Sequence, residues 1–525
     1  MIRTISLLLV LLPLRPLAGQ EQPILPLRES TLDSLVRRTM ETFHVPGIAV
    51  GIVRDGKLLF ARGYGVNQAG KPGRVNDETL FGIASLSKAF TTAALGLLVE
   101  EGKIGWDDPV RNHIAEFRLY DPFVTEAFTI RDLLTHRSGL GLGAGDLMIF
   151  PDPNFFTQAD IFQGLRYLRP VSSFRSKYDY DNLLYIVAGE IVARVSGQSW
   201  EEFVEKRLLS PLGMHRSAAS FSRLKDTSNM ASPHVWKDGK FVRVTRSSLP
   251  QAQAAGGMQS TIQDMSRWAI MLLDQGRLPG SDQKILIQPG TIAAMWTPQT
   301  IIPIPAGSGF YQSNFSAYGL GWGLTDVAGR KQVSHTGGLM GMVTQITLIP
   351  SLKLGILVFT NQEVGAAFTA ISSQLKDAFL GIPGKDRVAE VYANYSRSLN
   401  QADEVTAEVW KQVEANHRNG LNFPGWEKLA GRYRDDWFGE VVLTPENGQL
   451  RFNSLKSPKI SGKLYHFRGD TFAARWFDET LNADALVQFR FDILGKVEGM
   501  RMKAISPLTD FSFDFHDLDL RRVPD

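Results

Sequence analysis

Between positions 84 and 99 the chain places Ala84, Leu86, Ala89, Phe90, Ala93, Ala94, Leu95, Leu97, Leu98 and Val99 with almost no polar face between them. The spacing predicts a helix over 85–101, ended by Gly102. A helix apolar on nearly every side belongs in the centre of a large domain, because no face of it is suited to water. The remaining chain has to supply layers on all sides of that helix. Its 525 residues allow two to four domains, and 43% apolar with 21% charged residues is ordinary for large buried cores.

Residues 45–65 read as two apolar strands around the turn Arg54-Asp55-Gly56, and apolar strands also fit 342–350 and 354–360, split at Pro350-Ser351. A second helix fits 180–195. Strands at both ends of a long helical middle predict an α+β fold: an antiparallel sheet assembled from distant segments and flanked by helices, with an all-α region. Residues 384–425 change character: charged, and lacking Gly and Pro between Asp386 and Arg418, they read as a linking helix or helical pair. From 426 to 525 the texture turns to short alternating strands, with hairpin turns at Asn447-Gly448, Gly469-Asp470 and Gly495-Lys496, which predicts a small all-β barrel.

Several function classes drop out on composition. Lys and Arg total 57 against 54 acidic residues, with no dense basic run, so nucleic-acid binding has no footprint. Without cysteine there is no disulfide, thiolate metal site or cysteine nucleophile. The nine histidines show no metal spacing, so neither metal nor other cofactor is expected. At the N-terminus Arg3 precedes an apolar run from Ile5 to Leu14 and small residues at Ala18 and Gly19. That layout predicts a signal peptide over 1–20 and a secreted or periplasmic protein. The run is too short to span a bilayer, no cysteine follows it for lipid anchoring, and no later segment is long and apolar enough to cross a membrane.

Chemistry concentrates at the start of the apolar helix. Four Ser-x-x-Lys matches begin at Ser85, Ser222, Ser281 and Ser373, so spacing alone does not choose among them. In the first, Lys88 lies one turn from Ser85 on the same helix face. Apolar surroundings favour its neutral form, which accepts a serine proton. The other three pairs read as polar or peripheral. Farther along stand Tyr180-Asp181-Asn182 at a helix start and His335-Thr336-Gly337-Gly338 ahead of an apolar strand. Tyr178 and His136 read as packing, and Tyr392-Ala393-Asn394 falls in the charged linker.

In these three motifs, in this order, the chain resembles the penicillin-recognising serine hydrolases, specifically the class C β-lactamase branch with its esterase and D-aminopeptidase relatives. TIRDLLTHRSGL at 129–140, AAGGMQSTIQDMSRW at 254–268 and YGLGWG at 318–323 extend the resemblance, which implies a hydrolase domain over 25–383. It implies Ser85 as the acyl-forming nucleophile, Lys88 as its proton acceptor, and Tyr180 as sharer of the base role and activator of the deacylating water. Asn182 would bind the substrate amide or the lysine, and His335, Thr336, Gly337 and Gly338 would line the substrate-binding and oxyanion side. The N–H groups of Ser85 and Gly338 would form the oxyanion hole, where preorganised donors are worth about 3–4 kcal/mol. Gly337 leaves bare backbone along which an acyl group can lie.

One departure matters: β-lactamases of this branch carry lysine where this chain has His335. A free imidazole is mostly neutral at pH 7, which weakens the case for carboxylate-ended substrates. The expectation is therefore hydrolysis of an ester or peptide-like amide in a small molecule or short peptide. A β-lactamase or DD-carboxypeptidase, and a non-catalytic penicillin-binding or scaffold protein, are the alternatives. Two loops, 148–162 and 301–315, either shape the pocket or pack on the C-terminal domain. That domain resembles the lipocalin-like barrel appended to many such hydrolases, with a role in restricting access or in oligomer contacts. Oligomeric state is left open.

Overall fold

The turn Asp55-Gly56 holds both residues at positive φ, 50° and 76°, the two-residue connection that matches the twist of an antiparallel hairpin. It joins strands Gly47–Arg54 and Lys57–Gly65. The first of these pairs on its other edge with Leu354–Thr360, so the domain closes by bringing its two ends together. The computed structural model describes residues 25–524 apart from 282, 306, 420–422 and 424; the expected signal peptide over 1–20 lies outside the described residues.

The resulting eight-stranded sheet runs Lys57–Gly65, Gly47–Arg54, Leu354–Thr360, Met342–Ile349, Arg330–Leu339, Gly323–Val327, Ser316–Tyr318, Thr300–Ile302. Every pairing is antiparallel. Period-two alternation divides its first strand between two cores. Ile48, Val50 and Ile52 pack with Leu32 and Val36 of helix Glu29–Phe43 and Ile371 of helix Gly365–Leu380. Ala49 and Val53 face the all-helical region on the other side. With both faces covered, the strand is apolar throughout, which is why it reads as an unbroken run.

The apolar helix sits in that second core, with Leu95 and Leu98 fully buried. It begins two residues later than the spacing predicts: a 3₁₀ turn Ala84–Leu86 leads into the α-helix Ser87–Glu100. Leu183–Ser196, the second expected helix, packs against it.

Residues 387–418 form one continuous 32-residue helix, so the helical-pair alternative falls. Asp386 caps its start on the Ala389 N–H, and nothing in the sequence interrupts it. Its first half lies on the N-terminal α+β domain, where buried Arg387 and Asp377 pair at 2.6 Å. Its last turns reach the C-terminal domain, where Asn416 Nδ2 donates to the Phe467 carbonyl at 2.7 Å.

From Gly431 to Arg522 eight antiparallel strands close into a barrel, the last pairing with the first. Asn447-Gly448 makes the same positive-φ turn as Asp55-Gly56. Barrel residues Trp437 and Phe438 share one apolar core with Leu147, Met148 and Phe156 of the N-terminal α+β domain. Of the two loops, 148–162 leans on the barrel: the Phe155 N–H donates to the Lys456 carbonyl at 2.7 Å. The other, 301–315, packs elsewhere, with Phe310 and Tyr311 under the Arg387 guanidinium.

Candidate active site

Ser85 sits on the 3₁₀ turn, and the residue before it, Ala84, has φ of +49°. A non-glycine residue in the left-handed region costs about 1–2 kcal/mol, so its surroundings must hold it there. Thr344 Oγ1 does so from the sheet, donating to the Ile83 carbonyl at 3.0 Å. The following Ser87 is fully buried, and its hydroxyl donates to the Ala84 carbonyl at 2.7 Å. Only Ser85 of the two faces the lysine.

Lys88 is completely buried. Its Nζ lies 2.7 Å from Asn182 Oδ1, 2.8 Å from the Ala255 carbonyl and 3.2 Å from Ser85 Oγ. Two of those partners are acceptors with no proton to give. A neutral amine has two N–H groups for them and one lone pair, which is left for the Ser85 hydroxyl. Burial drives Lys88 down to about 7, although Asp146 and Asp181 pull the other way. Near neutral pH a large fraction of this lysine is therefore unprotonated.

Tyr180 places its ring 4.9 Å from Lys88 Nζ. Burial raises its phenol well above the usual value, against the effect of the Ser85 hydroxyl. Tyr180 thus keeps its proton in the free protein, and proton-accepting capacity rests on Lys88. Behind it the His136 ring lies 4.1 Å away and tilted, its Nδ1 accepting the Asp181 N–H at 3.0 Å, and Tyr178 packs edge-on to that imidazole.

His335 is 8% exposed. Its Nδ1 lies 2.6 Å from the Thr336 carbonyl, which only accepts, so Nδ1 carries the hydrogen. Nε2 then accepts from the Tyr318 hydroxyl at 2.8 Å. Burial pushes the ring down to about 3, helped by the charge of Lys88, so it is neutral. Thr336 and Gly338 point to the open side of the strand Arg330–Leu339, and His335 and Gly337 point inward. A Cβ on Gly337 would fall on the Ile83 carbonyl and 2.5 Å from Thr344 Oγ1, whereas Gly338 has open space. The absent side chain at 337 therefore makes room for the turn carrying Ser85, which corrects the expectation that it makes room for an acyl group.

The competing motifs lie elsewhere. Ser222 is on a short 3₁₀ turn and Ser281 in a loop. Ser373 and Lys376 are buried rather than peripheral, but Lys376 Nζ goes to Gln332 Oε1 at 3.0 Å and to the Tyr311 ring. Tyr392 is on the long helix, against Phe43.

Sequence reading misses Asp146. It is fully buried, and its Oδ2 accepts from Asn182 Nδ2 at 2.7 Å and from Ser512 Oγ at 3.0 Å. An acid inside the apolar run 144–150 was its only signal. Ser512 and its neighbours carried none, since they reach the site only through the packing of the barrel.

A family model described as Beta-lactamase matches residues 32–378. The chain belongs to that family. A second model, a domain of unknown function (DUF3471), matches residues 425–522 of this beta-lactamase-family protein. An unguisins hydrolase of Aspergillus violaceofuscus (strain CBS 115571) is 27% identical over 470 residues, covering 84% of this chain and 81% of that protein. Protein flp of Staphylococcus aureus (strain COL) is 26% identical, covering 63% of each. Among solved structures, the octameric penicillin-binding protein homologue from Pyrococcus abyssi is similar with TM-score 0.60 and 22% identity, over 94% of this chain and all of that one. A class C beta-lactamase gives 0.54 and 20%, over 68% and 97%. At those identities the likeness is one of fold.

Proposed function

We propose that this chain is an exported serine hydrolase, secreted or periplasmic, that cleaves an ester or peptide-like amide of a small molecule or short peptide through an acyl-enzyme on Ser85. The observation that carries the reading is the buried Lys88 amine, held by Asn182 and Ala255 so that its remaining position faces Ser85 Oγ. Ser85 Oγ attacks the substrate carbonyl carbon while its proton passes to Lys88 Nζ, and the N–H groups of Ser85 and Gly338 receive the oxyanion. Collapse of the tetrahedral adduct sends that proton to the departing amine or alcohol. Water then attacks the ester on Ser85, with Tyr180 and Lys88 handling its proton.

Two features support the substrate class. Strand Arg330–Leu339 pairs with Gly323–Val327 only as far as Ser334, leaving the edge over 335–339 for an extended substrate. The neutral, internally bonded His335 offers no charge to a carboxylate, which ranks β-lactams and DD-peptides below esters and other peptide-like amides. A relative named as an unguisins hydrolase supports turnover over mere binding.

The test is a panel of a chromogenic short-chain ester, D- and L-aminoacyl anilides and a chromogenic cephalosporin, with wild type and Ser85→Ala. Ser85→Ala is expected to lose at least about 10³-fold in rate. Retained activity in that variant would overturn the nucleophile. Lys88 acts unprotonated, so activity should be full above and fall as pH drops through about 7. A flat profile between about pH 5 and 8 would remove Lys88 from the role.

A further inference from the structure

The barrel sends three neighbouring side chains into the hydrolase domain. Phe511 packs edge-on to the Tyr180 ring at 5.7 Å. Asp514, fully buried, accepts the N–H groups of Gly145 at 2.6 Å and Leu147 at 3.0 Å, pinning the short turn that carries Asp146. Between them the Ser512 hydroxyl donates to Asp146 Oδ2 at 3.0 Å. The same oxygen accepts Asn182 Nδ2, which leaves Asn182 Oδ1 turned to Lys88 Nζ. Asp146 Oδ1 has no hydrogen-bond partner among the described residues, so the carboxylate depends on the donors to Oδ2.

We propose that Ser512 is a positioning residue of this active site, supplied by the C-terminal barrel and acting through Asp146 and Asn182 to hold Lys88 on Ser85. The role rests on the reading of Ser85 and Lys88 as nucleophile and base. Burial raises Asp146 well above the usual carboxylate value, and the Asn182 and Ser512 donors oppose that; the ionised form they favour only accepts, which gives the Asn182 amide one orientation. Without the Ser512 hydroxyl one of the two donors opposing burial is gone, which shifts Asp146 further toward the protonated acid; that form can donate to Asn182 Oδ1 and let the amide turn. Lys88 then loses both its acceptor and a facing negative charge. The other groups around Lys88 are Asp181 and the neutral His136 and His335, with Tyr180 and Tyr185 under the amine. Asp146 itself faces Asp181, Lys88 and Asp514, and Asp514 also faces Asp517.

Two measurements on the full-length protein separate this wiring from the hydrolase reading. Labelling of Ser85 by a fluorophosphonate, read by intact mass across pH, tests the nucleophile. Titration of Lys88 by ¹³Cε-lysine NMR, assigned with Lys88→Arg, tests the wiring whether or not Ser85 labels. Asp146→Asn should lower the Lys88 midpoint by about one pH unit, and Ser512→Ala by about half that, because each weakens the facing negative charge. Ser512→Ala should also slow labelling about tenfold at pH 8 while moving its acid limb down. In the double variant Ser512→Ala should add no further shift to that of Asp146→Asn. A Lys88 midpoint unmoved in Ser512→Ala, or additive shifts in the double variant, would overturn the proposal.

Discussion

At the scale of single residues, Gly337 and Gly338 are neighbours with opposite surroundings. One Cα faces the turn that carries Ser85, the other open space. Gly337→Ala is expected to cost about 1–3 kcal/mol through overpacking, seen as a lower Tm, and to slow Ser85 labelling because the turn must shift. Gly338→Ala should leave Tm within about a degree of wild type, since exposed substitutions rarely matter. An equal Tm for the two variants would contradict the close approach. His335 teaches the same lesson. Its identity was legible in the sequence, and so was its weakness as a carboxylate partner. That both nitrogens are spent on Tyr318 and the Thr336 carbonyl was not, because Tyr318 comes from another strand.

At the scale of elements, the short helix Ile130–Leu133 fixes the loop that runs through His136. Thr129 and Asp132 cap it reciprocally. The Asp132 carboxylate, wholly buried, also binds Arg137 Nε at 2.9 Å and an Arg175 nitrogen at 2.6 Å. Burial by itself would raise this acid, but Arg175, Thr129 and Arg137 together hold it below the usual carboxylate value. A carboxyl depressed on folding adds stability above its unfolded pKa, which is lost as pH falls through the folded one. Asp132→Asn should therefore cost about 1–3 kcal/mol in denaturant unfolding at pH 7, because it leaves the mostly buried Arg137 without its charge partner while the more exposed Arg175 turns to solvent. The deficit should shrink as pH falls below the usual carboxylate range; a deficit independent of pH would show that charge is not the cause. Element type was largely legible here: hairpin turns, the apolar helix and the barrel strands follow from local pattern. The start of the helix was not, since Ser85 is bent into a 3₁₀ turn by contacts with the sheet.

At the scale of the whole molecule, the barrel and the hydrolase domain share one apolar core and a 32-residue helix that packs on both. Calorimetry should therefore show a single cooperative transition, and truncation before residue 426 should lower it and abolish Ser85 labelling. Two well-separated transitions, with the truncated chain keeping its labelling rate, would show the barrel to be an appendage. The sequence by itself determined the two-part architecture, the antiparallel sheet closed from distant segments, and the three motifs of the candidate site, because each is written in local periodicity or local spacing. Only the tertiary structure decided that Asp146, Ser512 and Asp514 belong beside them. Their contacts join positions more than 360 residues apart, through backbone N–H groups and one shared carboxylate oxygen. No local pattern encodes a partner at that distance; it exists only once both domains are packed.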